Sequence, residues 1–335
     1  MIMYEGRSIA VVVPAYNEAG LVGGVIETMP PYVDRVYVVD DRSTDGTWEE
    51  VISHTDRRER TVVTEDTDEP AGTVADGGTT RVVPIRHERN RGVGAAIKTG
   101  YERARSDRMD VTAVMAGDGQ MDPDHLDRLL DPIVADRAAY AKGDRLRGHD
   151  RSSMSGWRLF GNGLLSVLTK VSSGYWRMMD PQNGYTAISL EALERIDLER
   201  LYDEYGFAND LLVVLNTHGF TVADVPMPAV YGEETSHIEY RSFVPGLSWL
   251  LCKRFCRRLY VRYVFEDFHP LAFMYGLGVL AGAVGLVGLG AALGRRDGTG
   301  SDVLSALSVL TTSAISILLA MTFDRQENDD RVIVE

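Results

Sequence analysis

The sequence predicts an α/β fold in which a mostly parallel sheet is covered by helices on both faces, followed by a basic amphipathic helix and a two-helix membrane hairpin. Three observations predict it. Short β-rich apolar runs recur through the first third of the chain with helical patterns between them. An uncharged stretch long enough to cross a hydrocarbon core occurs twice near the C-terminus. The segment before the first of these interleaves arginines with aromatic residues.

The runs SIAVVVPAY, RVYVVDD and DVTAVMAGD, with a further short strand in TRVVPIRHERN, are continuous rather than alternating. Such runs suit parallel strands buried on both faces and joined by right-handed crossovers. Residues 56–80, polar, acidic and rich in Gly and Thr, read as an exposed loop or insertion. HGFTVADVPMP returns to an apolar strand after the middle of the chain.

Leu271–Gly294 and Val303–Phe323 carry no charge over about 24 and about 21 residues, each enough for a span. Gly278, Ala281, Gly282 and Gly285 allow the two helices a close approach. In SWLLCKRFCRRLYVRYVFEDFHP, Lys253, Arg254, Arg257, Arg258 and Arg262 alternate with Trp249, Leu250, Leu251, Phe255, Leu259 and Tyr260. A helix of this composition lies among headgroups, drawn to anionic lipid, and its positive charge keeps it cytoplasmic. The domain division expected is therefore 1–242 for the α/β domain, 243–268 for the interfacial helix, 269–323 for the hairpin and 324–335 for a cytoplasmic tail. The linker RRDGTGSD then faces outward, its Arg295 and Arg296 outnumbered by the juxtamembrane cluster.

Composition narrows the function. Lys and Arg total 35 against 49 Asp and Glu, a formal net charge of −14, which argues against a general nucleic-acid binder. It also fits a high-salt cytoplasm, a habitat that composition alone does not identify. The two cysteines, Cys252 and Cys256, are too few for a disulfide framework and have no ligand-spaced partners for zinc, so they are expected on the apolar face of a helix. The N-terminus has no basic region before its apolar run and no small-residue cleavage site, so no signal peptide is expected.

The chemistry sits at strand ends. VVVPAYNE and VVDDRSTDGT place Tyr16, Glu18, Asp40 and Asp41 where a nucleoside needs hydrogen-bonding groups, with Ser43 and Gly46 in a turn that caps the next helix. ERNRGVGAAIKTG is a Gly-rich turn opening a helix, with Asn90, Gly92 and Gly94 at the bend and Lys98 one turn in. VMAGDGQMDPDH gathers Asp118, Gln120 and Asp122 after a buried strand; these oxygens suit a divalent cation, and a turn capping a helix is the other reading.

In these motifs, from about Ser8 to Arg241, the chain resembles the family 2 glycosyltransferases, in particular the dolichyl- or polyprenyl-phosphate mannose and glucose synthase group. The resemblance implies the GT-A fold and transfer of a hexose, with inversion, from UDP-glucose or GDP-mannose to a polyprenyl (dolichyl) monophosphate at the cytoplasmic membrane face. It also implies Mg²⁺ or Mn²⁺ held by Asp118 and Gln120, with Asp122 nearby. Pro14, Tyr16, Glu18 and Asp41 become nucleoside contacts, and Asn90, Lys98 and Gln182 join the donor-binding set. Arg145 in AKGDRLRG and Arg158 in SGWRLFGN match acceptor-phosphate arginines, with Asn162 in place of a commoner Ser. Asp210 in YGFANDLL falls at an acidic position suited to a general base or to orienting sugar or acceptor. His237, Arg241 and Ser242 are expected in a lid.

The chain departs from the family pattern at Ala116, where the first Asp of an Asp-x-Asp stands, at Val93, where a Lys is frequent, and at Ala208. Two alternatives stay open: transfer to a hydroxyl of a lipid or glycan, and a membrane scaffold that binds nucleotide sugar without turnover. Self-association into a homo-oligomer is also open. A dinucleotide dehydrogenase is disfavoured because no G-x-G-x-x-G follows the first strand.

Overall fold

The computed structural model describes residues 3–64, 81–145, 156–228, 240–294 and 300–335, and of residues 56–64, 156–162 and 240–244 it describes the backbone. In chain order the elements are β1 (Ile9–Ala15), α1 (Val22–Glu27), β2 (Arg35–Asp40), α2 (Thr47–Thr64), β3 (Arg81–Arg86), α3 (Val93–Ser106), β4 (Val111–Val114), α4 (Leu126–Val134) and β5 (Tyr140–Asp144). There follow α5 (Gly156–Ser173), β6 (Thr186–Ser189), α6 (Leu190–Arg195), α7 (Phe207–Thr217), β7 (Val222–Pro226), α8 (Tyr240–Tyr260), α9 (Pro270–Gly294), α10 (Gly300–Glu327) and β8 (Val332–Val334). Residues 56–64, expected to open an exposed loop, belong to α2, which runs on through Thr64, and the rest of that stretch, 65–80, lies outside the described residues. DRRERTVVT holds no Gly or Pro to stop a helix.

The strands form one eight-stranded sheet in the order β3-β2-β1-β4-β6-β5-β7-β8. β6 alone runs against its neighbours β4 and β5, and the other pairings are parallel. Alternate residues of β1 enter opposite cores. Ile9, Val11, Val13 and Ala15 pack with α1 and α4 through Val25, Ile26, Leu129 and Leu130. Ala10 and Val12 pack with α3, α6 and α7 through Ala96, Tyr101, Leu193 and Leu211. Burial on both faces is why the strands read as unbroken apolar runs. Pro84 lies in β3, at the sheet's edge, where its missing N–H breaks no ladder.

α9 and α10 pack as an antiparallel hairpin, and each is long and apolar enough to cross a membrane. Their large apolar side chains, among them Leu277, Leu280, Leu286, Leu304, Ile315 and Leu318, face outward, as in a lipid-facing pair rather than a soluble core. The seam is made of small residues. A Cβ at Gly278 would lie 2.6 Å from Ile317, and one at Gly285 would lie 2.8 Å from Leu310. Ser313 Oγ donates to the Gly278 carbonyl at 2.7 Å.

α8 differs from the expected basic face. Leu247 and Leu251 pack on Val213 of α7, which turns Arg254 and Arg258 inward. Arg254 pairs with Asp210, Arg258 with Asp324, and Arg262 Nη1 donates to the Asn216 carbonyl at 2.8 Å. Lys253 and Arg257 remain on the exposed face with Trp249 and Tyr260. Cys252 and Cys256 are exposed there too, not on the packed face, because the packed face is taken by Leu247, Leu251 and the inward arginines.

The end of the chain is part of the sheet. β8 pairs with β7, Val332 opposite Val222, and the Glu335 N–H donates to the Asp224 carbonyl at 3.2 Å. Just before it, Asp324 accepts two bonds from Arg258, at 2.9 and 2.8 Å, and one from the Tyr263 hydroxyl at 3.0 Å. Asn328 adds bonds to Tyr263 and Asn216, both at 2.8 Å. Both ends of the hairpin are thus tied to the α/β domain.

Removing one partner of a buried pair strands the other's charge. Asp324→Leu should cost about 3–5 kcal/mol, read as a lower Tm in detergent, and Arg258→Met with Asp324→Leu should regain most of it. An unchanged Tm for Asp324→Leu would show that the pair supports nothing.

Candidate active site

The carboxyl ends of β1, β2, β3, β4, β5 and β7 and the start of the antiparallel β6 all emerge along one edge of the sheet. The turns after β1 and β2 are laced together there. The N–H groups of Asn17, Glu18, Ala19, Gly20 and Gly23 donate to Ser43 Oγ, Thr47 Oγ1, an Asp45 oxygen and the two Glu50 oxygens. Asp45 Oδ1, rather than Ser43, accepts from the Thr47 N–H at the start of α2, at 3.0 Å. Pro14 is buried in β1 and its carbonyl accepts from Gly117 at 3.1 Å. Tyr16 stands exposed on the edge, with Glu18 partly exposed beside it.

Asp41 is also at the edge, but its carboxylate is engaged within the fold. Oδ1 lies 2.7 Å from His87 Nδ1 and accepts from the Arg91 N–H at 2.9 Å, and Oδ2 accepts from the Gly92 N–H at 2.7 Å. It therefore fixes the turn after β3. Asn90, exposed, accepts from Gly92 at 3.1 Å. Neighbouring Asp40 is fully buried and lies 2.9 Å from Arg86 Nε.

The Gly-rich turn has a packing role that the sequence did not reveal. A Cβ at Gly94 would lie 2.5 Å from the Tyr202 carbonyl, and Gly92, at φ +93°, has the Asp203 carbonyl 2.6 Å from where its Cβ would be. The Ala95 N–H, at the start of α3, donates to that Asp203 carbonyl at 2.9 Å. Lys98, expected among the phosphate contacts, points to the same segment: it is 6% exposed, donates to the Leu201 carbonyl at 3.0 Å and pairs with Asp203 at 2.5 Å. The first turn of α3 thus holds a loop of the chain itself.

Further along the edge, one cleft collects Asp118, Gln120 and Asp122 with Met121, His125, Arg145, Asn183, Tyr185 and Met227. Asp118 Oδ1 accepts from the Gln120 N–H at 3.0 Å in a turn closed by Gly119 at φ +72°. Asp122 Oδ1 accepts from the Asp124 N–H at 2.9 Å, capping the short turn Pro123–His125, so the capping reading holds for Asp122. Its Oδ2 lies 3.8 Å from His125 Nε2. Burial pushes the Tyr185 phenol well above its ordinary range, and it donates to the Asp122 carbonyl at 2.9 Å. Among the described residues no three His, Cys, Asp or Glu side chains converge as a ready-made metal cage.

In the same cleft, Arg145 Nε and Nη2 donate to the two oxygens of Asp180, at 2.8 and 3.3 Å. The pairing is bidentate and leaves the Arg145 side chain 42% exposed. Gln182 is partly exposed and does not line the cleft, whereas its neighbour Asn183 does. Asp210 is also outside it: fully buried, it accepts from Arg254 and from the Tyr202 N–H at 3.0 Å. Burial raises its carboxyl above the usual range, against the opposing pull of Arg254. Arg158 is in the first turn of α5, but its side chain lies outside the described residues, as do the side chains of Asn162, Arg241 and Ser242 and the whole of His237. Sequence reasoning overlooked His125, whose position one turn past Asp122 was the available signal.

The sequence pattern described as Glycosyl transferase family 2 matches residues 10–196. The chain is 26% identical over 229 residues to the UDP-N-acetylglucosamine–dolichyl-phosphate N-acetylglucosaminyltransferase of Methanococcus voltae, covering 68% of this chain and 87% of that one. It is 29% identical over 236 residues to the polyprenol monophosphomannose synthase of Mycolicibacterium smegmatis, covering 65% of this chain and 75% of that one. Among solved structures, glucosyl-3-phosphoglycerate synthase from Mycobacterium tuberculosis in complex with uridine diphosphate is similar with a TM-score of 0.51 at 20% identity, covering 76% of this chain and 80% of that one. That likeness is one of fold, the GT-A arrangement of a mostly parallel sheet.

Since Lys98 faces residues 199–203, Lys98→Met should lower stability by about 1–3 kcal/mol through the carbonyls left unpaired. Nucleotide affinity, followed by calorimetry at a temperature where the variant is folded, should stay within about threefold, well under what losing a charge-assisted phosphate bond removes. A loss above tenfold would return Lys98 to the donor site.

Proposed function

The chain belongs to glycosyl transferase family 2, and from that premise we propose that it transfers a hexose, with inversion, from UDP-glucose or GDP-mannose to a polyprenyl (dolichyl) monophosphate at the cytoplasmic face of a membrane. The observation that carries this reading is one cleft lined both by oxygen donors, Asp118, Gln120 and Asp122, and by the Arg145 guanidinium. The oxygen donors suit a cation bound to a diphosphate, and the guanidinium suits a phosphate monoester. The likeness to dolichyl-phosphate and polyprenol-phosphate enzymes supports the lipid acceptor, and the two apolar helices support a membrane location.

Asp118 and Gln120 fit a Mg²⁺ or Mn²⁺ ion because they bring a carboxylate and an amide oxygen, both hard donors, to one cleft after β4. Mg²⁺ commonly takes one or two carboxylates and completes its shell with substrate phosphates and water. Ala116 leaves the set one carboxylate short of the usual family pair, so the nucleotide's own phosphates must supply more of the shell. When bound, the ion stabilises negative charge on the departing nucleoside diphosphate.

Arg145, and Arg158 from α5, orient the acceptor phosphate by charge-assisted hydrogen bonds. A phosphate monoester is already ionised at neutral pH, so no strong base is needed. Asp210, enclosed with Arg254, then contributes by holding α8 against α7. Tyr16, Glu18, Asn90 and the Asp41-braced turn form the donor side. Residues 1–242 carry the chemistry, 243–268 lie at the interface, 269–323 span, and 324–335 return to the domain on its own side of the membrane.

The direct test is incubation of membranes holding the protein with radiolabelled UDP-glucose, UDP-N-acetylglucosamine or GDP-mannose, polyprenyl phosphate and Mn²⁺. Label should enter an acid-labile lipid from one donor, and Asp118→Asn should lower the rate by about 10–100-fold. No labelled lipid from any donor, alongside measurable donor binding, would favour a hydroxyl acceptor or binding without turnover. A second expectation concerns the ion: Mn²⁺ followed by electron paramagnetic resonance should bind at least about tenfold more tightly with the matching nucleoside diphosphate present than without it. Equal binding would overturn the shared-shell arrangement.

A further inference from the structure

The sheet contains a charged pair that touches no cleft. Lys142 of β5 and Asp224 of β7 are cross-strand partners in the parallel register, 1% and 0% exposed, with Nζ 3.0 Å from Oδ1. Two ions in a sheet core cost more than apolar residues of the same volume unless their remaining hydrogen-bonding capacity is used. Here it is used on one short segment, apart from a bond of Lys142 Nζ to the Gly143 carbonyl at 3.2 Å. Lys142 Nζ donates to the Met179 carbonyl and, at 2.9 Å, to the Asp180 carbonyl, while Asp224 Oδ2 accepts from the Met179 N–H at 2.9 Å.

The segment needs holding. Asp180 has φ +42°, in the left-handed region that a residue with a side chain adopts at a cost. In that conformation its carboxylate faces Arg145 and accepts from Nε and Nη2 together. The chain of contacts runs from the buried pair, through the Met179–Asp180 peptide, to the guanidinium at the cleft wall.

We propose that Lys142 and Asp224 are positioning residues for Arg145: they fix Asp180 in a left-handed turn whose carboxylate aims the guanidinium at the acceptor phosphate. The inference rests on the reading of Arg145 as an acceptor contact. It also accounts for ionic residues in a sheet core, where Val or Ile would serve packing alone.

The test replaces both charges at once, Lys142→Met with Asp224→Leu, so that neither is left unpaired. KM for polyprenyl phosphate should rise by about tenfold or more, the scale of a charge-assisted bond, while kcat and donor KM stay within about threefold. In an Arg145→Ala background the same replacement should change acceptor KM little, because the two act as one unit. A general fall in kcat with donor affinity, or an equal KM rise with and without Arg145, would overturn the proposal. If the paired variant does not accumulate, Asp180→Asn and Arg145→Ala, singly and together, test the last link by the same non-additivity, and additive effects overturn it. A crystal structure of the paired variant supplies a readout that needs no acceptor. Loss of the Asp180–Arg145 pairing supports the inference and its retention overturns it, even if the wild-type protein transfers nothing to a lipid phosphate and the functional reading falls.

Discussion

Arg258 and Asp324 meet with both side chains out of solvent, and the placement of the apolar hairpin follows from that contact. One charge belongs to α8 and the other to the last turns of the second apolar helix. Neither tolerates isolation in a dry site, so α8 and α10 cannot separate without exposing an unpaired ion. Tyr263, Asn216 and Asn328 complete the hydrogen bonds, bringing α7 into the same junction. A hairpin joined only by two loops would leave the cleft free to tilt, whereas this junction fixes its inclination to the apolar helices.

The same economy governs the α/β domain, where charges usually expected at a ligand prove to be brackets. Asp41 braces the turn after β3, Lys98 secures residues 199–203, and Arg254 closes over Asp210. Each places a turn of the strand-end arc by satisfying backbone or carboxylate groups that would otherwise be buried unpaired. The cleft residues can remain partly exposed because the rigidity lies behind them.

This division sets what was legible beforehand. β1, β2, β3, β4 and β7 were legible because parallel strands buried on both faces are unbroken apolar runs. β5 was not, since YAKGD reads as a polar turn until Asp224 is placed beside Lys142. β6 and β8 are four and three residues long, too short for a periodicity to declare itself. In the site, Asp118, Gln120 and Asp122 were singled out because they follow a buried strand and Arg145 through the family resemblance, and all four line one cleft. Asp210 and Lys98 were not separable from ligand contacts, because a sequence does not say whether a charge faces a cleft or a neighbouring carbonyl. The inward turn of Arg254 and Arg258 was hidden for the same reason, as composition gives a helix its basic character without saying which side is packed.

The position of β8 has a consequence for the order of assembly. The strand comes after both apolar helices in the chain, yet it pairs with β7, made before them. During synthesis the sheet therefore stands one strand short, with the edge of β7 open, until both apolar helices and the residues after them have left the ribosome. A hairpin inserted with only one helix across the bilayer would leave residues 332–334 on the wrong side, and the edge would stay open. Under the membrane arrangement proposed above, closure of the sheet would record that both helices have crossed, linking completion of the α/β domain to correct insertion without any separate device.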